Sequence, residues 1–240
     1  MKNDRKIFWG WYIVGGAFLV MAMNYGARYC FGVFLKPMAN EFALSRSVIS
    51  LAAAINMMVY SFGSVFVGRM LDRVAPRWIT TAGAGVAACG YLLTGFVDTP
   101  IWLYISYGVM VGLGSAGMGV VACSSSVSKW FISKRGVAVG IASMGISLGT
   151  VMLTPLAGYM ATAFSWRSGL MALSFIMLIV GVVVAQTLMR RTHPEAYGLL
   201  PDGNTISGMS QTTKSTVVYQ VSTMTLFRDS RFWTLAVCQG

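Results

Sequence analysis

Apolar residues run through this chain in long blocks without period-two alternation, and most of the charged residues gather between the blocks. A helix crosses the ~30 Å hydrocarbon core of a bilayer with about 20 residues at ~1.5 Å each. Six blocks are long enough: approximately Phe8 to Leu35, Ser47 to Leu71, Trp78 to Val97, Ile101 to Cys123, Gly136 to Phe164 and Ser168 to Met189. A seventh run from Phe232 to Gly240 reads as the start of a truncated seventh helix. The blocks are more than twice the length of a barrel strand, so the pattern predicts an all-α polytopic membrane protein.

Punctuation supports these boundaries. Lys36-Pro37 is expected to close the first span, Ser45 to cap the second, and Thr99-Pro100 to supply an N-cap followed by proline at the first helical position. All seven tryptophans (Trp9, Trp11, Trp78, Trp102, Trp130, Trp166 and Trp233) fall near span ends, where amphipathic rings anchor among headgroups. Lys2, Arg5 and Lys6 before an apolar run imitate a secretory signal. That run is too long and lacks a small-residue cleavage site, so it reads as a retained first helix.

Composition excludes a soluble domain. Of 240 residues, 56% are hydrophobic and 10% charged, with a mean hydropathy of +0.67, against about a quarter charged in soluble proteins. The net charge of +11 would suggest nucleic acid in a soluble chain; here it reads as loop charge, and no nucleic-acid partner is expected. Taking alternate loops as alternate sides, fourteen Lys and Arg residues fall on the side of the N-terminus and three, Lys36, Arg46 and Arg167, on the other. The N-terminus is therefore expected in the cytoplasm. So is 190–231, a Ser-, Thr- and Gly-rich linker between a six-helix half (1–189) and the helix starting at 232. Cys30, Cys89, Cys123 and Cys238 lie in or beside apolar segments without metal-ligand spacing and read as thiols; no metal is expected.

Two stretches repeat. Gly68-x-Met70 has Arg77 nine residues after its glycine, and Gly158-x-Met160 has Arg167 nine after its own. They fall on opposite sides of the membrane, as two inverted three-helix repeats require. The first stretch, Gly68-Arg69-Met70-Leu71-Asp72-Arg73-Val74-Ala75-Pro76-Arg77, resembles the loop after helix 2 of the major facilitator superfamily, G-x-L-x-D-R-x-G-R-K/R. Gly68, Asp72, Arg73 and Arg77 match, while Ala75 and Pro76 depart from the usual glycine and basic residue. The resemblance implies a cytoplasmic gate: glycine for close helix approach, and Asp72 among arginines exchanging ionic partners as that side opens. The plain alternative is a positive-inside loop with an incidental acid.

Other stretches narrow the branch. Gly26-Ala27-Arg28-Tyr29-Cys30-Phe31-Gly32-Val33-Phe34, Glu41-Phe42, Ser45-Arg46-Ser47-Val48-Ile49-Ser50, Lys129-Trp130-Phe131, Lys134-Arg135-Gly136, and His193-Pro194-Glu195 through Gly198-Leu199-Leu200-Pro201-Asp202-Gly203 resemble bacterial relatives of oxalate-formate antiporters and monocarboxylate transporters. That implies the first half of a two-half fold in the cell (inner) membrane, with the lipid bilayer and a missing C-terminal half as partners. The implied function is a secondary carrier moving a small organic anion, a mono- or dicarboxylate, with a proton or against an exchanged anion.

By that resemblance helices 1, 2, 4 and 5 face the cavity. The candidate substrate-binding residues are then Asn24, Tyr25, Arg28, Asn56, Tyr60, Tyr104, Tyr107, Ser143 and Ser147. Each is equally a candidate for a hydrogen bond between helices. Arg28 is the basic residue well inside a span; a buried arginine costs about 2.5–3.5 kcal/mol on insertion scales, so it should face a wet cavity or a partner. A guanidinium offers a carboxylate two parallel hydrogen bonds, whereas at about 30 Å along its helix it also reaches the outer headgroups by snorkelling.

Other chemistry is weaker. Gly108 and Gly112, then Gly145 and Gly149, form G-x-x-x-G pairs for close packing or sliding, and Pro155 marks a bend. Gly112-Leu113-Gly114-Ser115-Ala116-Gly117 matches a dinucleotide fingerprint but lies in a span with no strand before it, so no cofactor is expected. None of the seven acids lies deep in a span, leaving no intramembrane proton carrier in this half. His193 reads as a loop residue, and Ser124-Ser125-Ser126 has no base nearby, against a membrane-embedded enzyme. A non-transporting sensor or structural subunit is the remaining alternative.

Overall fold

A computed structural model describes residues 8–42 and 46–189. Among them are six long helices and no strand: α1 (Trp9–Phe42), α2 (Arg46–Met70), α3 (Pro76–Thr94), α4 (Pro100–Ser128), α5 (Arg135–Ala163) and α6 (Trp166–Thr187). All but α3 are long and apolar enough to cross a membrane; α3 opens on Pro76, Arg77 and Trp78, which dilute its apolar run. The linker, the start of a seventh helix, Ser45 as a cap, Cys238 and Trp233 lie outside the described residues.

Small residues set the packing. Between lipid-bathed helices the hydrophobic drive is weak, so close backbone approach and its dispersion contacts hold the bundle. A Cβ at Gly145 or Gly149 would strike the Phe18 or Ala22 carbonyl of α1, and one at Gly26 would stand 2.7 Å from the Gly149 carbonyl. The Gly112–Gly117 run does the same for α3: Gly114 lies on Ala87 and Gly117 on the Ile79 carbonyl. Its glycines are contact surfaces between helices. Polar ties join α3 to α6, where Ser174 donates to the Ala88 carbonyl (2.7 Å) and the Gln186 amide donates to the Thr81 hydroxyl (2.9 Å).

Several boundaries differ from the sequence reading. α1 does not stop at Lys36-Pro37 but continues to Phe42. Proline removes one N–H and leaves the following turns free to continue, and they are held by burial of Met38 and by packing of Phe42 on Trp166. Thr99 sits at the N-cap with Pro100 first in the helix, yet its hydroxyl makes no capping bond. Ser165 caps α6, accepting from the Ser168 N–H at 3.2 Å. Two tryptophans are not headgroup anchors: Trp130 is fully buried against Phe8, and Trp166 is 4% exposed and donates its indole N–H to Glu41. That carboxylate also meets Arg167 at 3.0 Å, and Arg167 reaches Asp98 at 3.6 Å.

The fourth span is not one uniform helix. Tyr104–Val111 is π-helical, and at Met118-Gly119 the chain leaves the helix before resuming at Val120. The π-helical turn lines a cavity through Tyr107, and the break packs Gly119 against the Tyr60 hydroxyl.

Candidate functional site

A cavity of about 550 Å³ opens between α1, α2 and α4, and among the described residues Arg28 is its only charged lining side chain. Arg28 projects from α1 with its guanidinium 4.4 Å from the centre of the Tyr60 ring on α2. The aromatic face stabilises the cation without neutralising it. None of the described acids lines the cavity, so a guanidinium with its full donor set is held beside space for a guest.

The other lining groups arrive from three helices. Tyr25 and Tyr60 bring their hydroxyls to 2.7 Å. Tyr107 stacks on Phe31 with centroids 3.7 Å apart, and its hydroxyl donates to the Arg28 carbonyl at 3.4 Å. Asn56 is 1% exposed, and its amide donates to the Tyr107 carbonyl at 2.8 Å. A π-turn shifts the i to i−4 bonding register, and Asn56 supplies a donor to a carbonyl within that turn.

Of the residues singled out in the sequence, Tyr25, Arg28, Asn56, Tyr60 and Tyr107 come together here. Asn24 is fully buried beside the cavity and donates to the Ser115 carbonyl at 3.2 Å. Tyr104 donates to the Val48 carbonyl at 3.2 Å, outside the lining. Ser143 and Ser147 lie on α5, half-buried and exposed, and do not line the cavity. Phe31, Gly32, Leu35, Met57 and Ser61 are lining residues that the sequence reading passed over. Helical spacing contains the signal, since Gly32 and Leu35 follow Arg28 by four and seven, and Met57 precedes Tyr60 by three.

The gate residues sit at the end of the bundle where α1 begins. Asp72 and Arg73 are exposed in the α2–α3 turn and border a depression with Ser125 and Lys129. Among the described residues Asp72 has no ion pair within 4.0 Å. Arg77, second residue of α3, stands 5.4 Å over the Trp78 ring with its Nε buried and unpartnered. Arg167 is likewise second in α6, at the opposite end. Close approach does not explain Gly68: a Cβ there meets only Val121, at an ordinary 3.8 Å.

A sequence model of the Major Facilitator Superfamily matches residues 17–239. The chain belongs to the Major Facilitator Superfamily. It is 29% identical over 170 residues to monocarboxylate transporter 13 of Rattus norvegicus, covering 71% of this chain and 40% of that one. With monocarboxylate transporter 12 of Mus musculus it shares 32% identity over 186 residues, covering 76% and 37%. The chain thus spans about two fifths of the length of the curated relatives it matches. A bacterial homologue of the human lysosomal transporter Spinster, solved inward-facing and unoccupied, superposes with a TM-score of 0.69 at 18% identity, covering 97% of this chain and 52% of that one. The described helices are half of a major facilitator fold, in a multi-pass membrane protein.

Proposed function

We propose that this chain is the first half of a secondary carrier for a small organic anion, a mono- or dicarboxylate, and that Arg28 holds the carboxylate. The observation that carries the reading is the guanidinium poised over Tyr60 at the cavity, with no described carboxylate among the lining residues. Two parallel charge-assisted hydrogen bonds suit a carboxylate in a site of low dielectric. Membership of the superfamily and similarity to monocarboxylate transporters support the same chemistry.

In this reading the exposed apolar faces of α2 and α5, with Met57 at 56%, Phe62 at 69%, Met144 at 66% and Val151 at 70% exposure, meet lipid or a second six-helix half. The two halves rock about a central site, with residues 190–231 as a cytoplasmic linker and the N-terminus on the same side of the cell membrane. Coupling is by proton symport or anion exchange. Because the Gly68–Arg77 loop matches the superfamily pattern at Asp72, Arg73 and Arg77, we assign it the cytoplasmic gate.

Arg28→Gln and Arg28→Lys in the full-length protein test the site. Uptake of mono- and dicarboxylates into proteoliposomes should be lost in Arg28→Gln at unchanged membrane abundance, and Arg28→Lys should keep part of it because charge survives without the fork. Unaltered affinity and rate in Arg28→Gln would make Arg28 a headgroup anchor and move the site elsewhere.

A further inference from the structure

The break in α4 lies beside two consecutive residues of α1, Asn24 and Tyr25. Met118 and Gly119 leave the helical conformation, and helix resumes at Val120 for nine residues to Ser128. Such a break strands carbonyls on one side and N–H groups on the other, and hydrocarbon offers partners to neither. Asn24 donates its amide to the Ser115 carbonyl at 3.2 Å, on the carbonyl side, where the Met118 N–H also donates at 3.2 Å. Tyr25, the next residue of α1, approaches the other end of the break through Tyr60, whose hydroxyl lies 2.7 Å from a Cβ position on Gly119. The Tyr25 hydroxyl is in turn 2.7 Å from that of Tyr60, whose ring lies under Arg28 at the cavity.

A bound anion gives the hydroxyl pair a direction. Either hydroxyl of the pair can donate to the other, and an anion held at Arg28 attracts the Tyr60 proton, which leaves the Tyr60 oxygen to accept. Tyr25 then donates to Tyr60, and the Tyr60 proton is left for the cavity. Gly119 keeps the space this needs: a Cβ there would stand 2.7 Å from the Tyr60 hydroxyl and 3.3 Å from the Ser115 carbonyl. Its φ of −76° is open to any residue, so room and not backbone conformation calls for glycine. We infer that Tyr60 is a second contact for the anion held by Arg28, and that Asn24, Tyr25 and the broken α4 are positioning elements that aim its hydroxyl. The inference rests on the anion-carrier reading above.

Equilibrium binding of radiolabelled pyruvate and benzoate to the purified full-length protein tests it. Tyr60→Phe keeps the ring under Arg28 and should weaken binding about tenfold to a hundredfold, the usual effect of losing a hydrogen bond to a charged group. Tyr25→Phe and Gly119→Ala should each weaken it several-fold with little change in melting temperature. The double variant Tyr25→Phe/Tyr60→Phe should bind no more weakly than Tyr60→Phe alone, because Tyr25 acts through that hydroxyl; a merely structural Tyr25 would add its own loss. Unchanged affinity in Tyr60→Phe, or additive losses in the double variant, overturns the inference. Arg28→Gln separates the two failures. If binding survives it, the anion site and this inference fall together; if it abolishes binding while Tyr60→Phe is silent, only this inference falls. No saturable binding of either probe by the unsubstituted protein overturns both.

Discussion

An alanine at Gly149 puts the α1–α5 crossing to a direct test. The added methyl would be driven into the Ala22 carbonyl, in a crossing where the Gly149 carbonyl already leaves only 2.7 Å for a Cβ on Gly26. These obstacles are backbone, so no rotamer change relieves them and the helices must part. Overpacking of this kind costs about 1–3 kcal/mol. Alanine also favours a helix over glycine by about 1 kcal/mol, which would obscure the loss if Gly149→Ala were measured alone. Gly140 supplies the control, because it lies on the same helix with nothing within 4 Å of its Cβ position. The propensity gain cancels between Gly149→Ala and Gly140→Ala, leaving the overpacking cost of about 1–3 kcal/mol as their difference. Thermal melting of the purified full-length protein should show Gly140→Ala at or above the unsubstituted protein and Gly149→Ala below it. Equal melting of the two variants would refute the claim that backbone contact holds α5 on α1.

Two further outcomes follow from the site and its surroundings. Asp72→Asn in the full-length protein should slow turnover more than it weakens binding, because Asp72 is assigned to switching and lies outside the cavity; unchanged transport at equal expression would reduce it to an incidental loop acid. Asn56→Ala should cost about 1–3 kcal/mol in melting experiments by leaving the buried Tyr107 carbonyl without its donor, and unaltered stability would mean that the π-turn needs no such partner.

Much of the architecture was legible because a membrane imposes a simple rule: about 20 apolar residues make a crossing, and charge collects between crossings. The long blocks place α1 to α6 without any knowledge of contacts, and the Gly68–Arg77 loop points to the superfamily. Arg28 stood out for the same reason, since a cation in an apolar run needs a partner or water. Tertiary structure decided what each polar residue does. Asn24 and Tyr104 look alike in sequence to cavity-lining groups, yet they lie outside the lining, and their donors, like that of Asn56 within it, are spent on carbonyls of neighbouring helices. Which face of a helix meets a neighbour depends on crossing geometry, and that geometry is set by glycines whose partners are far away in the chain, as Gly149 is from Ala22. The Trp130 and Trp166 rings were read as anchors because sequence gives distance along the helix but not rotation about it. The π-turn and the break in α4 were equally out of reach. A continuous apolar run signals that a segment crosses, whereas the irregularities meet donors from other helices, Asn56 at the Tyr107 carbonyl and Asn24 at the Ser115 carbonyl.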